Sequence, residues 1–224
     1  MRDIPTLAVL ISGRGSNLKS LIENSVDYRV TAIISNNPEA PGLKFGREYG
    51  IKTVALSRKD YPSLSEYKCA IFEETKKASP DLVALAGFMM ILQPEFVKFY
   101  WGRLFNIHPA LLPKYPGLDT HKRALEHGEK EHGCTVHYVD PGVDTGPIIA
   151  QAKVPVFPED TVEALSQRVL EREHAIYPWV INSVSRGEIR LEGSTVYYSS
   201  LVKAEAKEKN FIIFTDSSLK TFPY

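Results

Sequence analysis

Short apolar runs separated by mixed segments set the rhythm of this chain. Residues 6–12 (TLAVLIS), 30–35 (VTAIIS), 52–56 (KTVAL) and 81–87 (DLVALAG) are rich in Val, Ile and Leu with little polar alternation, as strands covered on both faces should be. Between them, residues 16–25, 41–50 and 61–79 read as helices, the last with Lys76 and Lys77 in its final turn before Ser79 and Pro80. This alternation predicts an α/β fold, an open and mostly parallel twisted sheet with helices on both faces. Residues 133–140 (GCTVHYVD) and 146–156 (GPIIAQAKVPV) flank a short Pro, Gly and Asp loop, which predicts an antiparallel extension near the C-terminal part. A long helix is expected over 160–187, with Asp160 or Thr161 to cap its start and Gly187 its finish.

A length of 224 residues suits one sizeable domain, expected over 1–200, with 201–224 as a C-terminal extension to which the pattern assigns no role. Lys plus Arg and Asp plus Glu number 27 each, so the chain lacks the electrostatic footprint of a nucleic-acid or anionic-membrane binder. A small-molecule partner is expected instead. Cys69 and Cys134 lie far apart and fit free thiols in a reducing compartment. The apolar run near the N-terminus is too short for a signal peptide or a membrane span, so a cytoplasmic location is expected.

The first chemical motif is SGRGSN, residues 12–17, directly after the first strand. Gly13 and Gly15 make a turn, and Ser16 is a plausible helix N-cap, so free backbone N–H groups and the helix dipole would meet an anion there. The dinucleotide fingerprint wants glycine where Leu18 stands and an acid ending the second strand, where Ser35, Asn36 and Asn37 stand. No Gly-Lys-Ser follows either. A site for a single phosphate and a plain tight turn both remain open.

The second motif is FNIHPALLPKYPG, residues 105–117, with Asn106 two residues before His108 and prolines at 109, 113 and 116. A lone histidine is more often structural than catalytic. Here it follows a short apolar run after the fourth strand, at a strand's carboxyl end where open α/β sheets hold ligands. Period-two alternation sets Asn106 and His108 on one face. Thr135 and His137 share a face of a later strand, whose following loop carries Asp140 and Asp144. An amide, an imidazole and a carboxylate are the parts of acyl transfer without a covalent nucleophile. His132, Cys134 and His137 resemble metal ligands, but a strand turns the first two to one face and the third to the other, so no metal is expected. No G-x-S-x-G elbow occurs, and Cys134 reads as packing.

Taken together, SGRGSNL, LAGFMMIL, FNIHPALLPKYPGLDTH, GCTVHYVDPGVDTGPIIAQ and EREHAIYP resemble the phosphoribosylglycinamide formyltransferases, the folate-dependent formyltransferases of purine biosynthesis. The resemblance runs over roughly residues 6–198 and implies transfer of a formyl group from 10-formyltetrahydrofolate, as co-substrate, to the amine of glycinamide ribonucleotide. It implies a ribonucleotide site on Gly13, Gly15, Ser16, Asn17, Leu18 and Glu173. It implies a folate site on Met89, Met90, Ile91, Leu92, Asn106, Asp140, Val143 and Asp144; read without the family, FMMIL would be a core stripe. By the same resemblance His108, Asn106 and Asp144 are catalytic: His108, held cationic by Asp144, and the Asn106 amide stabilise an oxyanion, and His108 relays the proton. Relatives often carry arginine where Met90 stands and a basic residue near Leu64 and Ser65, so contacts to the outer part of the folate are expected to differ. Two related enzymes share the Asn, His and Asp set: methionyl-tRNA formyltransferase, with an added nucleic-acid domain, and formyltetrahydrofolate hydrolase, with a regulatory one. A neutral chain of this length is expected to carry neither. A homodimer is left open.

Overall fold

The structure, a computed structural model, describes residues 4–215. Strands β1 (Thr6–Ile11), β2 (Arg29–Ser35), β3 (Lys52–Ala55), β4 (Leu82–Leu85) and β5 (Leu104–His108) pair in parallel. β6 (Glu131–Tyr138) runs antiparallel to β5, and β7 (Ile148–Pro155) antiparallel to β6. The sheet order is β3-β2-β1-β4-β5-β6-β7. The chain winds outward from β1 to β3 and then returns to the other side of β1 with β4. The carboxyl ends of β1 and β4 therefore flank the switch point at which open α/β sheets leave a crevice.

Alternation along the strands divides their side chains between two cores. Leu7, Val9 and Ile11, with Phe105 and Ile107, share one cluster with Leu18 and Leu21 of helix α1 (Ser16–Glu23), Phe45 of α2 (Lys44–Glu48) and Val169, Ile176 and Tyr177 of α6 (Val162–Ser185). Leu10, Val83, Leu85 and Leu104 share the other with Tyr67 and Ile71 of α3 (Leu64–Lys77) and Phe96, Val97 and Tyr100 at α4 (Pro94–Phe99). Each such side chain, fully buried, stabilises the fold by roughly 1.5–3 kcal/mol. Helices on both faces of a mostly parallel sheet are the architecture the apolar rhythm predicts.

The helix ends follow local chemistry. Ser63 Oγ accepts from Glu66 N–H (3.1 Å) to start α3. Thr161 Oγ1 accepts from Ala164 N–H (3.2 Å) and caps α6, while Asp160 instead holds Arg168 through two bonds of 2.7 Å. Gly187, at φ 75°, follows the C-cap Arg186. Residues 41–50 do not form the single helix expected of them. A 3-10 turn over Pro41–Leu43 precedes α2, because Gly42 packs its backbone against Gly15 and redirects the chain.

Three features lack a strong periodic signal. Helices α4 and α5 (Thr120–Glu126) span only 6 and 7 residues. The hairpin of β8 (Ile189–Glu192) and β9 (Thr195–Tyr198) turns at Gly193, at φ 62°. Beyond it, α7 (Ser200–Glu208) buries Val202 and Ala206 in the first core, Phe211 lies 5.1 Å from the Trp179 ring, and Ile212 makes an antiparallel bridge to Gln151 on β7. The rest of the expected extension, 216–224, lies outside the described residues.

Candidate active site

β5 ends in Asn106 and His108, on the sheet face opposite Phe105 and Ile107. Across the antiparallel pair, His137 stands opposite Asn106 and Thr135 opposite His108. Asp144 returns from the loop after β6 in a left-handed backbone conformation, φ 56°. Its Oδ2 accepts from Gly117 N–H (2.9 Å) and lies 3.2 Å from His108 Nδ1. Its Oδ1 accepts from Asn106 Nδ2 (3.3 Å) and lies 3.6 Å from His137 Nε2. Asp144 thus joins Asn106 and His108, the other two residues expected to be catalytic, and His137 completes the cluster.

Hydrogen-bond direction assigns the protons. His137 Nδ1 faces the Tyr138 carbonyl (2.8 Å) and must donate to it, so Nε2 accepts from Asn106 Nδ2 (3.2 Å). The Asn106 amide therefore donates to both His137 and Asp144. Burial pushes the Asp144 carboxyl up, but the facing His137 imidazole, the bond from Gly117 N–H and the nearby His108 outweigh it, leaving the pKa below the usual range. His108 behaves otherwise than expected. At 5% exposure, burial lowers its pKa below the ordinary 6.5, and Asp144 and the Tyr115 carbonyl oppose that shift without overcoming it. Asp144 does not lift the pKa above its ordinary value, because the pocket strips water from an imidazolium more effectively than one carboxylate replaces it. His108 nevertheless lies between two acceptors, the Tyr115 carbonyl at Nε2 (2.8 Å) and Asp144 at Nδ1 (3.2 Å). One proton satisfies only one of them, and a second proton satisfies both. The geometry suits a ring that takes up a proton during reaction.

The loop after β5 supplies these partners. Thr135 Oγ1 accepts from Leu112 N–H (3.1 Å) and donates to the Ala110 carbonyl (2.6 Å), while Gln151 Nε2 donates to the Leu112 carbonyl (2.7 Å). Tyr115, at φ 57°, is held by its hydroxyl bond to Glu129 (2.8 Å) and by the Arg123 guanidinium over its ring (5.2 Å). Pro109, Pro113 and Pro116 limit what remains free. The loop thereby presents one carbonyl to His108 and one N–H to Asp144. On the other face, the Tyr177 hydroxyl lies 3.0 Å from the Leu85 carbonyl and 3.1 Å from that of Phe105, supporting the strand ends.

The glycine turn forms as expected, with two corrections. Gly15, at φ 76°, is the residue that caps α1, and Ser16 is its first helical residue with no capping bond from its side chain. Only glycine fits, since a Cβ there would lie 2.8 Å from Gly42 Cα. The Leu18 side chain is fully buried in the core, so it reaches the turn only through its backbone. Gly13 accepts from Gly42 N–H (3.0 Å). Asn17 Nδ2 donates to Glu173 Oε2 (2.7 Å), and Asn17 Oδ1 is buried without a partner. Burial raises the Glu173 carboxyl to about 7, the Asn17 bond opposing. A helix N-terminus with open N–H groups, an unpaired carbonyl and a carboxyl of adjustable charge together suit a phosphorylated, nitrogen-bearing ligand.

The loop after β4 is not a core stripe throughout. Met90 and Leu92 pack on the second core, whereas Met89 and Ile91 are exposed. Val143 is also exposed, in the loop whose Val139 packs on that same core. Asp140 folds its own loop, accepting from Gly142 N–H (3.2 Å) and Thr145 Oγ1 (2.8 Å), so its carboxylate is occupied internally. Apolar side chains without cover around a polar cluster fit a flat, partly apolar ring. Among the described residues, no group of three His, Cys, Asp or Glu is placed to hold a metal ion. His132 instead faces His121 (3.2 Å), and the buried Cys134 thiol is pushed up in pKa by desolvation.

Gly42, Tyr115, Gly117 and Tyr177 are functional neighbours the motifs did not single out. Of these, Gly42 and Gly117 each lay inside a turn-forming Pro-Gly pair that could have marked them.

Comparison with known proteins is consistent across sequence and structure. A family model described as formyl transferase matches residues 6–181. The phosphoribosylglycinamide formyltransferase of Escherichia coli is 46% identical over 195 residues, 85% of this chain and 92% of that protein. The trifunctional purine biosynthetic protein adenosine-3 of Drosophila melanogaster is 48% identical over 187 residues, 81% of this chain and 14% of that protein. Glycinamide ribonucleotide transformylase 1 from Symbiobacterium toebii superposes with a TM-score of 0.84 at 40% identity, covering 88% of this chain and 95% of that one.

Proposed function

This chain belongs to the formyl transferase family, and we propose that it moves the formyl group of 10-formyltetrahydrofolate to the amine of glycinamide ribonucleotide in purine biosynthesis. The observation that carries the chemistry is the closed cluster of Asn106, His108, Asp144 and His137 at the carboxyl end of β5. The glycine turn and Glu173 take the ribonucleotide, and the loops of Met89–Leu92 and Asp140–Asp144 take the folate ring.

Attack of the amine on the formyl carbon forms a C–N bond and places a negative charge on the formyl oxygen and a positive one on the amine. Asn106 Nδ2 turns one hydrogen from Asp144 or His137 toward that oxygen. His108 Nε2 accepts the amine's proton while the neutral ring's own proton stays on Nδ1 toward Asp144, whose carboxylate stabilises the resulting imidazolium beside the oxyanion. The carbonyl then re-forms, the bond to the folate nitrogen breaks, and His108 returns the proton to that nitrogen. Reaching substrate requires Nε2 to leave the Tyr115 carbonyl. Holding both reactants in one cleft supplies much of the remaining acceleration.

No helix among the described residues is long and apolar enough to cross a membrane, and Cys69 and Cys134 are free thiols, which supports a cytoplasmic setting. The transferase unit is assigned to 1–200, with 201–224 as an extension of which residues 201–215 pack on it. The test is to mix the protein with glycinamide ribonucleotide and 10-formyl folate and follow loss of the formyl folate by absorbance. Ribonucleotide-dependent loss is expected; equal loss without ribonucleotide would replace transfer with hydrolysis.

A further inference from the structure

Ser12 directly follows β1 at the switch point, one residue before the glycine turn, and each of its polar groups is engaged. Its N–H donates to the Gly87 carbonyl (3.2 Å), and its carbonyl accepts from Asn37 Nδ2 (3.2 Å). Its hydroxyl accepts from Met89 N–H (2.7 Å) and donates to Asn36 Oδ1 (2.6 Å). Asn36 is itself fixed, its carbonyl accepting from the Tyr67 hydroxyl (2.6 Å). One side chain thus ties the start of the ribonucleotide turn to the first residue of the folate loop and to the end of β2. Packing holds that loop through Met90 and Leu92 on the second core but not at Met89 and Ile91, which are 70% and 63% exposed. The Met89 N–H bond fixes the loop's entry, where packing does not.

We propose that Ser12 is a positioning residue that sets the two substrate loops relative to one another. It touches neither reacting atom; it holds the loop over Met89–Leu92 at a fixed offset from Gly13–Asn17, and so keeps both binding loops formed before either substrate arrives. This role rests on the assignment of those loops to folate and ribonucleotide. Removing the hydroxyl leaves Met89 N–H without its acceptor and frees Asn36, so both loops loosen while the Asn106, His108 and Asp144 cluster is untouched. A lost hydrogen bond of this kind corresponds to roughly a tenfold change in an equilibrium.

The test is steady-state kinetics of formyl transfer by wild type, Ser12→Ala, Ser12→Thr and Asn36→Ala, with thermal unfolding of each. In Ser12→Ala, KM for the formyl folate and KM for the ribonucleotide should each rise about tenfold, with kcat within about threefold. Ser12→Thr, which keeps the hydroxyl, should restore both. Asn36→Ala should shift both KM values in the same direction, and combining it with Ser12→Ala should add little, because the two act through one bond. A loss of correctly folded protein lowers apparent kcat and leaves KM alone, so it cannot imitate this result. Wild-type KM values in Ser12→Ala, a rise for one substrate only, or full additivity with Asn36→Ala would overturn the proposal. If Ser12→Ala does not fold, Asn36→Ala decides: raised KM values support the proposal and unchanged ones overturn it. Absence of transfer by the wild type would instead reject the assignment of function.

Discussion

Glu173→Gln separates the effect of a buried charge on stability from its use in binding. Glu173 is 6% exposed on α6, with Asn17 Nδ2 at 2.7 Å as its partner. Burial lifts its carboxyl from the ordinary 4.5 to about 7. In the unfolded chain the group ionises at its ordinary value, so across that window the folded state retains a proton that the unfolded state has released. Stability therefore falls as pH rises from 4.5 to about 7, and the deficit is constant above it. The full effect is on the order of 3 kcal/mol. Glutamine has the same shape, keeps an oxygen for Asn17 and does not titrate. The variant should match wild type near the acid end of the window and exceed it by roughly 2–3 kcal/mol at about pH 8. Urea unfolding at the two pH values reads this as a midpoint shift of about 1 M at the higher pH only. A gain of equal size at both pH values, or none at the higher, would refute the reasoning. The same substitution should raise KM for the ribonucleotide, showing that the destabilising charge is kept for binding.

His108→Ala should retain binding of both substrates, read by calorimetry, while kcat falls by roughly 10²–10⁴-fold; full activity would remove His108 from the mechanism. Asp144→Asn removes the carboxylate that holds up the His108 pKa. It should lower kcat, and by NMR titration the His108 ring should take its proton at still lower pH. Burial and the facing His121 hold His132 at about 4 against an ordinary 6.5, so the folded state binds fewer protons and stability is lost as pH falls from 6.5 toward 4. His132→Gln should flatten that acid limb in urea titrations. Gly15→Ala combines a left-handed φ of 76° with a Cβ 2.8 Å from Gly42 Cα. It should cost roughly 1–3 kcal/mol in thermal unfolding and raise KM for the ribonucleotide.

Elements that bury both faces were the legible part of the fold. The β1 and β4 runs need no partner to announce themselves, since a strand covered on two sides must be apolar at every position. Helix α3 was legible as a helix over 61–79, while its start at Leu64 is set by the Ser63 cap. The short helices α4 and α5 and the β8–β9 hairpin were not legible, because a few residues cannot establish a period and their positions depend on what they pack against. At the site, Asn106 and His108 were legible from spacing alone: two residues on one strand must share a face. Asp140 and Asp144 were both legible as carboxylates in the loop after a strand, but the choice of Asp144 entered with the family resemblance, for its contact depends on a loop doubling back in a left-handed conformation.

The sequence by itself determined which residues could do the chemistry: an amide and an imidazole two apart, a glycine turn after a first strand, and carboxylates in loops that end strands. These are consequences of local backbone geometry, which the order of residues dictates. Only the tertiary structure decided their state. Whether His108 is charged depends on the balance between water lost to burial and the fields of Asp144 and the Tyr115 carbonyl, groups 36 and 7 residues away. That balance leaves the His108 pKa below its ordinary value. Likewise Glu173 titrates near neutrality, and Ser12 joins two loops, because long-range packing sets solvation and places distant polar atoms within bonding distance.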